Sequence, residues 1–239
     1  MKCVAGHQPN LYPYGGFFAK ASAVDIFVIA DNTQYVKKEY HNRNRILLQN
    51  GNTAWLSVPV KNTGHFKNKI NQMLIDNTSN WRRIHIRTLE RNYKKSPFFD
   101  IYFPDIKKII SDDYEKLAEL NIAVIKYFFH ILNINIPLLL ASEIQVSGKS
   151  TSYIYDICLK SDCKAYLHGK HAIDYVDFAF LEQNGITNYI QTFSASEYKQ
   201  INSKSFIPNL SILDIIFNLG PETNEYLNNC QKIDSYKKQ

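Results

Sequence analysis

Metal-clamping and disulfide chemistry are absent from this sequence. Its four cysteines, Cys3, Cys158, Cys163 and Cys230, form no CxxC pair, so neither a zinc site nor a disulfide framework is predicted. Long hydrophobic runs are missing too. The longest apolar stretches, 27–30 and 137–141, are strand-sized, far short of the roughly 18 residues of a membrane span. No transmembrane segment is therefore expected. The first residues lack the apolar core of a secretory leader, which makes the cytoplasm the expected location. No established nucleic-acid-binding motif is present, nor an internal repeat or a low-complexity segment. The Asp-x-Asp metal motif of many glycosyltransferases does not occur in a fitting place. Ser147-Gly148-Lys149-Ser150 lacks the glycine spacing of a P-loop and reads more simply as a helix-capping loop with Lys149 near a phosphate.

What is present is a globular chain. With 239 residues, 45% hydrophobic and 21% charged, it is long enough for one large domain with a substantial core. The formal charge of +6 is modest and spread out, with small clusters at Arg82-Arg83, Lys94-Lys95 and Lys107-Lys108. Such a balance suits a phosphorylated small molecule or an anionic membrane surface as well as nucleic acid. The abundance of Asn, Ile, Lys and Tyr matches the bias of an AT-rich genome and inflates the lysine count without function.

The alternation of apolar runs and amphipathic stretches predicts strands over 2–6, 25–30, 44–49, 53–60, 138–141, 165–167 and 188–192, with Asn50-Gly51-Asn52 as a hairpin turn. Helices are expected over 16–24, 80–93 (capped by Ser79), 98–111, 113–132 (capped by Asp112), 151–161 (capped by Ser150), 178–183 and 211–219. Residues 61–72 read as a loop, and the polar tail from 222 as frayed. The fold class is α/β, a mainly parallel sheet flanked by helices with an inserted helical lobe at about 79–132. Residues 1–221 form a single domain and 222–239 a C-terminal tail.

The stretch from His7 to Lys20 looks least chosen for packing. A histidine closes the first strand, two prolines stiffen a loop with Tyr12 and Tyr14, and Gly15-Gly16 opens a helix. Loops of this kind present free backbone N–H groups above a sheet, where anions collect. This stretch points to an enzyme. Ligands of open α/β sheets gather at strand carboxyl ends, so His7 is a candidate general base or phosphate ligand. The alternative is a histidine that braces the loop. Asp31 closes the second strand and can orient His7 or hold a sugar hydroxyl, or serve as a turn residue. Arg43 or Arg45 can clamp a phosphate, or form a basic hairpin flank. His168-Gly169-Lys170-His171 with Asp174 and Tyr175 follows a strand and suits phosphate or sugar better than a metal, because Gly169 argues against the helical spacing a histidine pair needs. No metal site is expected. Gln8, Lys20 and Tyr35 complete the substrate-binding candidates, with Tyr12, Tyr14 and Tyr35 as stacking rings. Cys3, Trp55 and Trp81 read as packing residues.

Taken together, the chain resembles the WbqC-like protein family of bacterial O-antigen and surface-polysaccharide gene clusters. The resemblance runs from His7-Gln8-Pro9, Pro13 and Gly16-Phe17-Phe18-Ala19-Lys20 through 23–29, Asp31 and Gln34-Tyr35. It continues in Asn42-Arg43-Asn44, 55–60, Ile75-Asp76, Trp81, Ser142, the Gly169 loop with Tyr175, and Ser211-Ile212-Leu213-Asp214. His168 stands where the pattern has a small residue. The resemblance implies sugar-nucleotide or polysaccharide metabolism: a transferase acting on a nucleotide-activated or carrier-linked sugar, with acyl or aminoacyl transfer to an amino sugar favoured. An acyl-CoA or acyl-carrier donor is the co-substrate of that chemistry. Nucleotidyl transfer, which needs a nucleoside triphosphate and Mg²⁺, glycosyl transfer and a non-enzymatic scaffold for the polysaccharide machinery are the alternatives. In layout the first strand, His- and Pro-bearing loop, helix and Asp-ended strand are similar to class I nucleotidyltransferase-like domains, without their second histidine; fold alone does not settle function.

Overall fold

The computed structural model describes residues 1–61 and 68–236. Eight strands and eight α-helices are found among these residues: β1 (Cys3–His7), α1 (Gly15–Ser22), β2 (Ile26–Ile29), β3 (Arg43–Leu47), β4 (Thr53–Ser57), α2 (Trp81–Tyr93), α3 (Phe99–Ser111), α4 (Leu117–Ile131), β5 (Leu138–Leu140), α5 (Thr151–Lys160), β6 (Ala165–Gly169), α6 (Phe178–Gln183), β7 (Thr187–Phe193), α7 (Ile212–Leu219), α8 (Thr223–Asn229) and β8 (Gln231–Ser235). The main sheet has the order β5-β2-β1-β6-β7-β8. All its pairings are parallel except β7–β8. The fold is α/β, with a mainly parallel sheet flanked by helices. A separate antiparallel hairpin, β3–β4, turns through Gly51 at φ +83, the backbone that favours glycine.

Two apolar layers sandwich the sheet. On one face Ala5, Phe27 and Leu167 pack with α1, α4 and α7; on the other Val4, Val28 and Tyr166 pack with α5 and α6. This two-sided burial is why β2 is apolar throughout instead of alternating. Backbone approach, rather than left-handed geometry, explains two of the opening glycines. A β-carbon on Gly15 would meet Leu227 at 2.7 Å and one on Gly16 the Tyr14 ring at 2.4 Å. The Gly-Gly pair therefore lets the start of α1 seat against its neighbours.

Several sequence expectations need correction. The long fourth helix starts at Leu117, not 113, because Ile75 N–H donates to Glu115 O and Leu117 N–H to Met73 O, which holds that entry extended. Asp112 instead closes α3. Ser79 does not cap α2; Asn80 occupies that position and Ser79 Oγ donates to Asp76 O. Ser150 makes no capping hydrogen bond and donates to Tyr175 O. Through residue 236 the polar tail does not fray: α8 and β8 extend the fold, and Tyr236 stacks on Phe178 at 3.8 Å. An exposed edge strand needs polar residues, and that composition had suggested a tail. The expected loop over 61–72 falls partly on 62–67, outside the described residues; Ile70–Gln72 form a 3₁₀ turn. Trp55 is exposed, with Arg43 stacked on its ring at 4.0 Å.

Candidate active site

Strand order reverses between β1 and β6. The chain moves from β1 outward to β2 and β5, then returns to β6 and moves outward the other way through β7. In open parallel sheets the crevice at such a reversal, beyond the strand carboxyl ends, is where ligands sit. A cavity of about 1390 Å³ occupies this position. His7 reaches it from the end of β1, His168 and Gly169 from the end of β6, and Lys20 from α1.

His7 is half-buried, its ring edge-on to Phe17 at 4.9 Å. Its Nδ1 lies 3.0 Å from the carbonyl oxygen of Gln8. A carbonyl only accepts, so Nδ1 carries the proton and Nε2 keeps a bare lone pair. Burial, with the nearby charge of Lys20, depresses this histidine to about 3. His168 follows the same logic. Asn188 Nδ2 donates to Ile186 O, so its Oδ1 accepts from His168 Nε2–H at 2.9 Å. Nδ1 of His168 is then bare, buried and without a partner, and burial depresses the ring to about 4.

Lys20 is only 7% exposed and, among the described residues, forms no ion pair. Burial lowers its amine to about 8, so near neutrality the charged form still predominates. A cation in this setting lacks the counter-charge that buried charges normally have. The cavity lining reinforces the sign: among the described residues Lys20, Lys69, Lys149 and Lys170 face it with Glu39 as the sole carboxylate. The geometry favours an anionic ligand.

Of the predicted site residues, His7, Gln8, Tyr14, Lys20, Gly169, Lys170 and Tyr175 line this cavity. Five do not. Asp31 is buried and engaged by other partners: its carboxylate accepts from Ser142 N–H at 3.0 Å, Ser142 Oγ at 2.6 Å and Asn71 Nδ2 at 3.2 Å. It ties β2 to the chain beyond β5 and does not orient His7. Tyr12 is fully buried with an unpartnered hydroxyl, so it cannot stack on a ligand. Tyr35 donates to Asn42 Oδ1 at 3.1 Å and leans on His41. Arg43 donates to Lys38 O, and Arg45 to Asn209 O at 3.3 Å; both arginines belong to the hairpin.

Residues outside the prediction also enter. Val36 N–H donates to His41 Nδ1, so His41 Nε2–H donates to Gln8 Oε1 at 3.0 Å while Gln8 Nε2 donates to Thr33 Oγ1. This chain fixes the Gln8 side chain at the cavity wall. Asn44 secures the loop by donating to Leu11 O and Tyr12 O. No local pattern marked His41, which reaches the cavity through tertiary contacts, and Asn44 stands in the Asn42-Arg43-Asn44 run without having been named a site residue. Among the described residues no three His, Cys, Asp or Glu side chains cluster as a metal site, and no helix is long and apolar enough to cross a membrane.

A parallel sheet with a cationic cleft at its strand-order reversal defines an α/β protein of the open-sheet kind. Within that class the chain belongs to the WbqC-like protein family, whose model matches residues 8–226. It is 32% identical over 234 residues to the uncharacterised protein Rv1507c of Mycobacterium tuberculosis, an alignment spanning 97% of this chain and 100% of that one. No solved structure matches the chain.

Proposed function

We propose that the protein is a transferase of bacterial surface-polysaccharide biosynthesis that acylates, or aminoacylates, an amino sugar carried on a nucleotide or lipid carrier. The observation that carries this reading is the cleft itself: cationic, about 1390 Å³, and placed where both β1 and β6 deliver an imidazole. Pockets for a single small molecule run to roughly 1,000 Å³, so the size suits two substrates side by side. Family membership supports the sugar assignment.

In this reading Lys20 holds the phosphate or carboxylate of a substrate. Pairing with an anion cancels the charge that helps depress His7, which raises the basicity of its bare Nε2. That nitrogen then takes a proton from the neutral sugar amine as the amine nitrogen attacks the acyl carbonyl. The C–N bond forms, the bond from acyl carbon to the donor's leaving atom breaks, and the leaving atom departs with the electron pair. Gln8, held by His41 and Thr33, and Tyr14 position the sugar.

The test is incubation of the purified protein with UDP- and dTDP-linked amino sugars plus acyl-CoA donors, followed by mass spectrometry. The expected result is a sugar nucleotide heavier by one acyl group, lost in His7→Ala. Absence of product from every mixture, with no shift in melting temperature for any donor or acceptor, would contradict the reading.

A further inference from the structure

Charge on this chain is not evenly distributed once folded. Residues 81–111, which form α2 and α3, hold eight Lys and Arg against three Asp and Glu. Their formal charge of +5 is nearly the whole +6 of the protein. Within α2 the distribution is sharper. At about 100° per residue, Arg83, Ile84, Arg87 and Arg91 of α2 and Lys94 at its C-cap fall within an arc of roughly 100°, and Lys95 follows just beyond the helix. All six are exposed. The opposite arc, with Trp81, His85, Leu89 and Tyr93, is buried in the core.

The arginines on this face are not engaged in internal pairs. Glu90 is bridged to Lys107 at 3.2 Å and Arg82 pairs with Asp113; among the described residues Arg83, Arg87 and Arg91 make no ion pair or hydrogen bond. A groove of about 620 Å³ opens beside them, lined by Arg87, Arg91, Gln49 and Asn50. It joins two guanidiniums to amide donors, the combination that holds phosphate oxygens. Ile84, 58% exposed, adds an apolar side chain at one edge of the cationic arc, beside Arg91.

From these observations we infer that the outer face of α2 docks on an anionic phospholipid surface, with the Arg87–Arg91 groove taking a lipid phosphate. Charge complementarity over a whole helix face suits an extended array of phosphates, and an exposed isoleucine among arginines suits the boundary between headgroups and acyl chains. A polyanion such as nucleic acid offers the charge without the apolar layer for Ile84. The surface is independent of the cleft: neither Arg83, Arg87, Arg91 nor Ile84 lines it.

The inference is tested by sedimenting the full chain with phosphatidylglycerol–phosphatidylcholine vesicles and with pure phosphatidylcholine vesicles, at about 0.05 M and about 0.5 M salt. Binding is expected for the anionic vesicles at low salt only. The triple variant Arg83→Glu, Arg87→Glu, Arg91→Glu is expected to lower it at least about tenfold with an unchanged melting temperature, whereas the triple lysine variant retains it. If the charge-reversed protein does not fold, Ile84→Ser together with Arg87→Gln is the second test, expected to weaken binding to the same vesicles. Failure of the wild type to sediment with anionic vesicles overturns the inference. So does binding that survives charge reversal, or that is lost to millimolar inorganic phosphate at constant ionic strength. Tight binding to single-stranded DNA with none to vesicles would assign the face to nucleic acid instead.

Discussion

The ammonium nitrogen of Lys20 lies 3.7 Å from the position a β-carbon on Gly169 would occupy. Gly169 has φ −81 and ψ 161, a backbone any residue adopts, and nothing else stands within 4 Å of that point. The space beside the lysine is therefore not filled by packing.

That space makes Gly169→Ala a clean probe. The variant is expected to fold like the wild type, with a melting temperature changed by no more than about 2 °C, since exposed, unstrained substitutions cost roughly 0.5 kcal/mol or less. Binding of a phosphorylated sugar in the cleft is expected to weaken about tenfold, measured by calorimetry. Unaltered affinity would place the ligand elsewhere in the cleft.

Lys20 sets a pH dependence for anion binding. Burial lowers its amine to about 8, so the cationic form that attracts an anion is lost as pH rises through that value. Affinity for inorganic phosphate is expected to fall between pH 7 and 9 in the wild type, and Lys20→Met to bind weakly and without that fall. Since a bound anion stabilises the ammonium, binding near pH 8 is also expected to take up a proton, which calorimetry in buffers of different ionisation enthalpy reads directly.

Acid sensitivity follows from four histidines. Burial depresses His41, His85 and His168 to about 4 and, with the charge of Lys20, His7 to about 3. Each titrates near 6.5 when unfolded. Below that pH the unfolded chain binds protons the folded chain refuses, so stability is present above 6.5 and lost as pH falls. Each histidine contributes about 1.4 kcal/mol per pH unit, giving roughly 4 to 6 kcal/mol lost by pH 5.5. That approaches the whole stability of a typical domain. Urea midpoints should drop steeply between pH 6.5 and 5; a flat profile would show that these rings are not held neutral.

The two buried carboxylates act on stability. Asp31 accepts two hydrogen bonds from Ser142 that join the ends of β2 and β5, and a third from Asn71 in the 3₁₀ turn. Asp214 accepts from Tyr93 at 3.1 Å, Tyr198 at 2.5 Å and Gln200 at 2.8 Å. Alanine at either position leaves buried donors unsatisfied and is expected to cost about 3 kcal/mol in denaturant unfolding. Asp31→Ala, if still folded, is expected to retain catalytic turnover to within about tenfold, unlike His7→Ala, because its carboxylate does not reach the cleft.

Much of this was legible in the chain. The strands β2 and β5 announce themselves as continuous apolar runs, and strand-end position points to His7 and the Gly169 loop, which line the cavity. Lys20, read from the opening stretch, also lines the cavity. Tyr12 sits in a proline-bearing loop whose composition points to solvent, yet its ring is sealed into the core. Asp31 was placed by strand end correctly and by partner wrongly: its serine partner lies 111 positions away, a pairing that only the β2–β5 neighbourhood creates. His41 left no local signal for the same reason. The edge strand β8 was missed because its polar composition is what solvent exposure requires.

The central claim is that the cleft between β1 and β6 holds an anionic sugar substrate through Lys20. The most direct measurement is calorimetric titration of UDP- and dTDP-linked amino sugars into the wild type and Lys20→Met at pH 7. The account predicts saturable one-site binding for at least one sugar nucleotide, weakened about 100-fold or more in Lys20→Met, the loss expected when a charged hydrogen-bond partner is removed. No binding of any sugar nucleotide to the wild type, or equal binding to both proteins, would contradict it.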